Sequence, residues 1–235
     1  MSRMIPGLSI EDARLVRDEV IRRRMARGDR SAVLIGQGHG SGDPAILNER
    51  MVSVTTARIP TDSVPLLVRG VVGLHLSPES VRQALLGHLV EAQDGKLQLG
   101  LEVASHRFDD RNIETSDLVA VNGGVTRLVS SVSHAPTGAE PTFRMLRDGL
   151  AVDEGCVPPS DTVQKAVEDI TAYAIRCCTP LAELFAQEND QRRGPGILVA
   201  VGIGEPIGLT SNNTVELEVA GARVAAVIAD TDHFI

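Results

Sequence analysis

The chain closes on three β-rich runs, "GILVAVGIGEPIGL", "TVELEVAG" and "ARVAAVIAD", separated from one another by turn residues. Runs of this kind read as strands, and their backbone N–H and C=O groups oblige them to pair with neighbours in a sheet. Any fold for this chain has to contain that closing sheet. The other end begins differently. "LSIEDARLVRDEVIRRRMARGD" predicts a helix, with Ser9 as its cap, Glu11 and Asp12 in the first turn, a basic last turn and Gly28 beyond it. Ala13, Val16, Val20 and Ile21 form its expected inward face.

Between these ends the elements are mixed. "SAVLIGQGHGSGDP" is a short strand running into a glycine-rich loop, 36–42, that lacks the lysine and hydroxyl of a phosphate-binding loop. "VPLLVRGVVGLHL" and "LQLGLEVASHRF" are strands, with a helix capped by Ser77 between them. "DLVAVNGGVTRLVSSV" reads as a loop entering a strand, and Asp148-Gly149 makes a tight hairpin turn in "FRMLRDGLAVDEG". The longest helical stretch starts at Ser160 and breaks near Pro180.

Composition excludes several functions. With no Trp, one Tyr and four Phe among 235 residues, the core is aliphatic and stacking on bases or sugars is not the main recognition device. The net charge of −8 argues against nucleic acid and anionic membranes as partners. No run of apolar residues is long enough to span a bilayer, and the N-terminus lacks the order of a signal peptide, so a cytoplasmic protein is expected. The chain is read as one domain, 1–235, with a helical N-terminal part over about 1–30. Cys156, Cys177 and Cys178 suit reduced thiols, the adjacent pair as core residues, and no histidine lies at zinc-ligand spacing from them. Only two of 23 basic residues are lysine, which suggests a GC-rich genome.

The segment "LEVASHRFDDRNIETSDLVAVN" carries more specific information. Leu101, Glu102, Val103, Arg107, Asp110, Ile113, Asp117, Val119, Ala120 and Asn122 keep the register of a pattern found in the fumarylacetoacetate hydrolase superfamily. On these residues, and on the later hairpin and closing strands, the chain resembles the hydratase and decarboxylase branch of that superfamily. The resemblance implies an α+β fold, a mixed β-roll with helices outside. It also implies a divalent metal, magnesium or manganese, held by a Glu-x-Glu pair and a third Glu from the Leu-Glu-Val strand. Hard carboxylate oxygens would there hold a hard cation that chelates a 2-oxo acid and stabilises its enolate.

The chain departs from that pattern. In "LLVRGVVGLHL" the register puts Arg69 and Val71 where the two acids belong, and the lysine that relatives carry in the N-terminal strand is missing. Gly123 and Gly124 replace small hydroxyl-bearing positions. A metal site is therefore not expected, and no cofactor with it; magnesium or manganese would return only under a shifted strand register. If Arg69 faces Glu102, the guanidinium takes the cation's place, either to stabilise a dead site or to bind a carboxylate or enolate oxygen of a substrate. Catalytic candidates are Glu102, Arg69, His39 in the glycine-rich loop and His75, which shares strand parity with Arg69. His106, which shares the parity of Glu102, and Arg107, Asp117 and Asn122 are candidate substrate-binding or pocket-wall residues.

Two classes of function follow. One is a metal-independent enzyme of secondary metabolism, carrying out a lyase, hydration, isomerisation or cyclisation step on a keto or polyketide-like small molecule. The other is a non-catalytic subunit or scaffold that pairs with another enzyme. A metal-dependent 2-oxo acid hydratase or decarboxylase is the third alternative. Homo-oligomers, or hetero-oligomers with a relative, are expected in either class.

Overall fold

The computed structural model describes residues 7–29, 31–36, 42–54, 57–61, 66–85, 97–105, 114–135, 141–187 and 197–230. Helix α1 runs Ile10–Ala26 and is capped by Ser9, whose hydroxyl accepts from the Asp12 backbone N–H at 3.1 Å. Strand β1 follows at Ser31–Gly36, then β2 (Ala45–Asn48), β3 (Val52–Val54) and β4 (Ala57–Thr61). Strand β5 (Leu66–Leu76) leads to α2 (Pro78–Leu85), where Ser77 accepts from the Ser80 N–H, and then to β6 (Leu97–Ser105). A short helix α3 (Thr115–Ala120) precedes β7 (Val125–Ala135), where the sequence suggested a loop.

The β8–β9 hairpin (Thr142–Arg147 and Leu150–Cys156) turns at Asp148 and Gly149, with φ of 53° and 79°. Both values lie in the left-handed region that an Asp-Gly turn provides cheaply. Helix α4 (Ser160–Cys177) stops at Cys178, and α5 (Thr179–Gln187) restarts with Pro180 in its first turn, where a missing N–H costs nothing. The closing strands are β10 (Ile197–Leu209), β11 (Thr214–Val219) and β12 (Ala222–Asp230).

Two mixed sheets form. One has seven strands in the order β2-β1-β10-β5-β6-β7-β3, the other five in the order β4-β12-β11-β8-β9. Strands β2 and β3 are the two edges of the larger sheet, yet only Glu49–Met51, a single 3-10 turn, separates them in sequence. Three residues reach at most about 10 Å, so the sheet has to curl until its edges meet. Asn122, at the entrance to β7, helps to close the roll. Its Oδ1 accepts from the Ile46 N–H at 2.8 Å and its Nδ2 donates to the Ile46 carbonyl at 2.9 Å, as a strand neighbour would.

Alternation along the strands divides the apolar side chains into two sets. Leu66, Val68, Val72, Leu99, Leu101 and Val103 pack outward from the roll onto Met145, Leu217, Val224 and Ile228 of the second sheet and Val163, Val167 and Leu181 of α4 and α5. Val33, Ile35, Leu47, Val71, Ala104, Leu128 and Ala200 point the other way and fill much of the concave face.

Helix α1 corrects one expectation. Ala13 and Ile21 are buried as expected, but Val16 and Val20 are exposed, and the inward stripe is completed by Arg17 and Asp18. Those charges are buried because they are paired. Arg17 donates to Asp43 at 2.7 Å and to the Cys177 carbonyl at 2.6 Å, and Asp18 accepts from the Thr179 N–H at 3.0 Å. Arg14 grips both oxygens of Asp43, at 3.0 and 2.9 Å, and Tyr173 donates to the same carboxylate at 2.9 Å. Burial works to raise the Asp43 pKa, but the hydrogen bonds from Arg14 and Tyr173 and the charge of Arg17 outweigh it and leave it below the ordinary carboxylate range. Burial and the bond to Asp43 push Tyr173 up to about 12.

Candidate functional site

Strands β5 and β6 pair antiparallel in the centre of the rolled sheet, and their register sets Arg69 directly across from Glu102. Glu102 is flanked on its other side by Leu128 of β7. Directly opposed residues project to the same face, here the concave one, so the two side chains meet. Arg69 donates to a single oxygen of Glu102, from Nε at 3.1 Å and from Nη2 at 2.6 Å. The carboxylate is completely sealed, while the guanidinium side chain keeps 13% of its surface. Burial raises the Glu102 pKa above the ordinary carboxylate value; the charge and hydrogen bond of Arg69 oppose this without cancelling it.

Strand β10 makes room for this pair. A Cβ built on Gly202 would lie 2.4 Å from Cζ of Arg69 and 2.6 Å from its Nε and Nη1. The guanidinium therefore lies flat against the backbone of β10, in space that any larger residue would take. Gly202 was not among the sequence candidates, and its only signal there is the Gly-Ile-Gly interruption of an otherwise aliphatic strand.

The remaining candidates are dispersed. His75 shares parity with Arg69, but it stands six residues further along β5, about 20 Å at the usual strand rise, and its side chain is exposed. Partial burial of the ring lowers its pKa. His75 thus shares the face of Arg69 but lies well away from the Arg69–Glu102 pair. Asp117 accepts from the Glu114 backbone N–H at 3.1 Å at the start of α3, and both ends of the Asn122 amide are engaged by Ile46. His39, His106 and Arg107 lie outside the described residues.

A second polar group on the same face went unnoticed in the sequence. Gln98 of β6 donates to the Ser130 hydroxyl at 2.5 Å and to the Ser131 carbonyl at 3.2 Å, with both serines buried. Among the described residues, no three His, Cys, Asp or Glu side chains come together in a way that would hold a metal ion. No described helix is long and apolar enough to cross a membrane.

No protein-family model matches the sequence, and no curated protein does. Solved structures do match the fold. 4-Oxalocrotonate decarboxylase from Pseudomonas putida G7, complexed with magnesium and adipate, aligns with a TM-score of 0.70 at 17% identity, covering 95% of this chain and 87% of that one. The 2-hydroxyhepta-2,4-diene-1,7-dioate isomerase from Mycobacterium marinum aligns with a TM-score of 0.50 at 15% identity, over 86% of this chain and 75% of its own. The apo form of 2-keto-3-deoxy-D-arabinonate dehydratase gives 0.50 at 14%, over 86% and 74%. At these identities the likeness is one of fold.

Proposed function

We propose that this chain, which has the fumarylacetoacetate-hydrolase-like fold of 4-oxalocrotonate decarboxylase, is an enzyme that works on a small anionic keto or polyketide-like substrate without a divalent metal. The step would be a lyase, hydration, isomerisation or cyclisation reaction of secondary metabolism. One observation carries the reading: an arginine side chain is fixed on the concave face by a sealed carboxylate, with part of that side chain still reachable.

Such a group can do part of what a cation does. A guanidinium held in place presents fixed N–H donors to a carboxylate or enolate oxygen, and fixing it beforehand removes the cost of orienting it during reaction. Glu102 would be the positioning residue and Arg69 the one that touches substrate. The described donor set does not fit the magnesium that accompanies the decarboxylase. Glu102 is one carboxylate, and it already faces a positive charge that repels a second cation.

A second reading, a non-catalytic subunit or scaffold, has its own support. Val71, Ala104, Leu128 and Ala200 fill the concave face beside the pair, and a pocket filled by its own side chains serves packing rather than binding.

Thermal melting of the wild type and Arg69→Ala separates the readings, using adipate and pyruvate as probe anions, with EDTA in one series and Mg²⁺ or Mn²⁺ in another. A saturable upward shift with an anion, indifferent to EDTA and lost in Arg69→Ala, is the expected result. A shift that Arg69→Ala retains removes Arg69 from the site. Stabilisation by metal alone returns the chain to the metal-dependent hydratases and decarboxylases, and no shift with either anion or metal favours the scaffold.

A further inference from the structure

Strand β10 loses its register with β5 at one place. Ile203 pairs with Gly70 and Ile207 with Val68, so residues 204–206 of β10 stand opposite the single residue Arg69. A bulge of this kind bends its strand and re-aims the side chains beside it. The residues that form it, Gly204, Glu205 and Pro206, suit the shape. Gly204 takes a φ of 67°, a left-handed conformation that costs glycine little, and Pro206 brings no N–H to the ladder. Gly202, against whose backbone the Arg69 guanidinium lies, comes just before the bulge on the same strand. The seat of the guanidinium and the bulge are thus one piece of backbone.

The second sheet holds this bulge. Asp153, on the edge strand β9, accepts from the Glu205 backbone N–H at 2.9 Å through its Oδ2. The same oxygen closes over Gly204. A Cβ built on Gly204 would run into it, and would lie 2.9 Å from Cε2 and Cζ of Phe143. Phe143 of β8 is buried and reaches this point across its register partner Gly155, where a Cβ would lie 2.8 Å from Cε1 of the ring. One carboxylate and one ring of the second sheet therefore fix the stretch of the rolled sheet that faces Arg69.

We propose that Asp153 is a positioning residue for Arg69. By holding the Glu205 N–H it fixes the bulge, and with it the Gly202 backbone behind the guanidinium, so that the donors of Arg69 stay aimed at an incoming carboxylate or enolate oxygen. The inference rests on the reading of Arg69 as the group that binds an anionic substrate. Asp153 itself does not touch that substrate. It acts through a hydrogen bond that an asparagine side-chain oxygen would accept equally well. Without an acceptor there, the Glu205 N–H turns to water, the bulge opens locally, and the guanidinium leaves Glu102 more often.

Proton exchange at Nε of Arg69, followed by heteronuclear NMR on the full chain and identified by its absence in Arg69→Ala, tests this with no ligand present. In the wild type that proton is donated to the sealed carboxylate of Glu102. Asp153→Ala should speed its exchange at least about fivefold, and Asp153→Asn should leave it as in the wild type. The Nε proton of Arg17, donated to Asp18 on α1, is the internal control and should not change. Adipate affinity from melting titrations should follow the same order, weakened in Asp153→Ala and kept in Asp153→Asn. Unchanged exchange at Arg69 in Asp153→Ala overturns the inference. Equal acceleration at Arg69 and Arg17 does so too, because it marks a general loss of stability. An Asp153→Asn protein that behaves like Asp153→Ala overturns the hydrogen bond as the cause. Should Asp153→Ala not fold, Asp153→Ser, too short to reach the same N–H, takes its place. A wild type that binds no adipate defeats the proposed function, while the exchange rates still decide whether Asp153 positions Arg69.

Discussion

Adding one methyl group to β10 isolates what holds Arg69 in place. In Gly202→Ala the new Cβ would sit 2.4 Å from Cζ of Arg69, whereas ordinary contact begins at 3.4 Å, so the guanidinium has to withdraw by about 1 Å. It is the end of a long side chain and is able to move, but its present place is fixed by Glu102. Withdrawal is normal to the guanidinium plane, so it tilts the 2.6 Å bond from Nη2 out of that plane and weakens it, and the loss of the bond sets the upper bound on the cost. Losing a charge-assisted bond to a sealed carboxylate costs about 1.5–3 kcal/mol. In an Arg69→Ala background the three atoms nearest that methyl are gone, so the same substitution costs less than it does in the wild type. Denaturant unfolding of the wild type, both single variants and the double variant, at one protein concentration, gives the coupling energy directly, expected at about 2 kcal/mol. Additive single effects, or a harmless Gly202→Ala in the wild type, would refute the claim that Gly202 exists to admit the guanidinium.

Two further substitutions probe the buried charges. Glu102 has a folded pKa above its unfolded one, so the folded state binds the extra proton; its contribution is fully present below the ordinary glutamate range and is lost as pH rises from there through the raised folded value. Relative to Glu102→Gln, the wild type should therefore lose stability on going from about pH 4 toward neutrality, by at most about 1.4 kcal/mol per pH unit. Urea unfolding across that range checks the sign, and a relative gain for the wild type sinks the assignment. Asp43→Ala removes the carboxylate shared by Arg17, Arg14 and Tyr173 and leaves Arg17 buried, at an expected cost of about 3–5 kcal/mol. Guanidinium unfolding should place it far from Glu19→Ala, a control whose pairs with Arg22 and Arg23 are screened by solvent.

The strands and helices that repeat a simple period were legible in the sequence. The Asp148-Gly149 turn, the Ser9 and Ser77 caps, the break at Pro180 and the three closing strands all lie where local chemistry puts them. Strands β2, β3 and β4 were not read, because segments of three to five residues complete no period, and their pairing is decided by partners distant in sequence. The inner face of α1 was misread for a related reason. Residues 13, 17 and 21 lie four apart on one stripe, but hydrophobicity favoured Val16 and Val20 over an arginine. The carboxylate of Asp43, 26 residues away, and the still more distant Cys177 carbonyl make Arg17 the better core residue.

At the candidate site, the residues that match the superfamily pattern and the residues that depart from it do different work. Among the matching positions, Asp117 is bonded at the start of α3 and Asn122 closes the roll through Ile46, so both are occupied by the backbone. Of those that the structure describes, Glu102 alone faces the centre of the sheet with an ionisable group. What opposes it there, Arg69, is a departure, and the space Arg69 occupies is provided by Gly202 on a third strand. The curl of the sheet is thus independent of the charge at its centre, since closing the roll requires backbone hydrogen bonds and says nothing about which ion sits inside. Arg69→Ala against the probe anions is therefore the comparison that decides what the centre of the roll does.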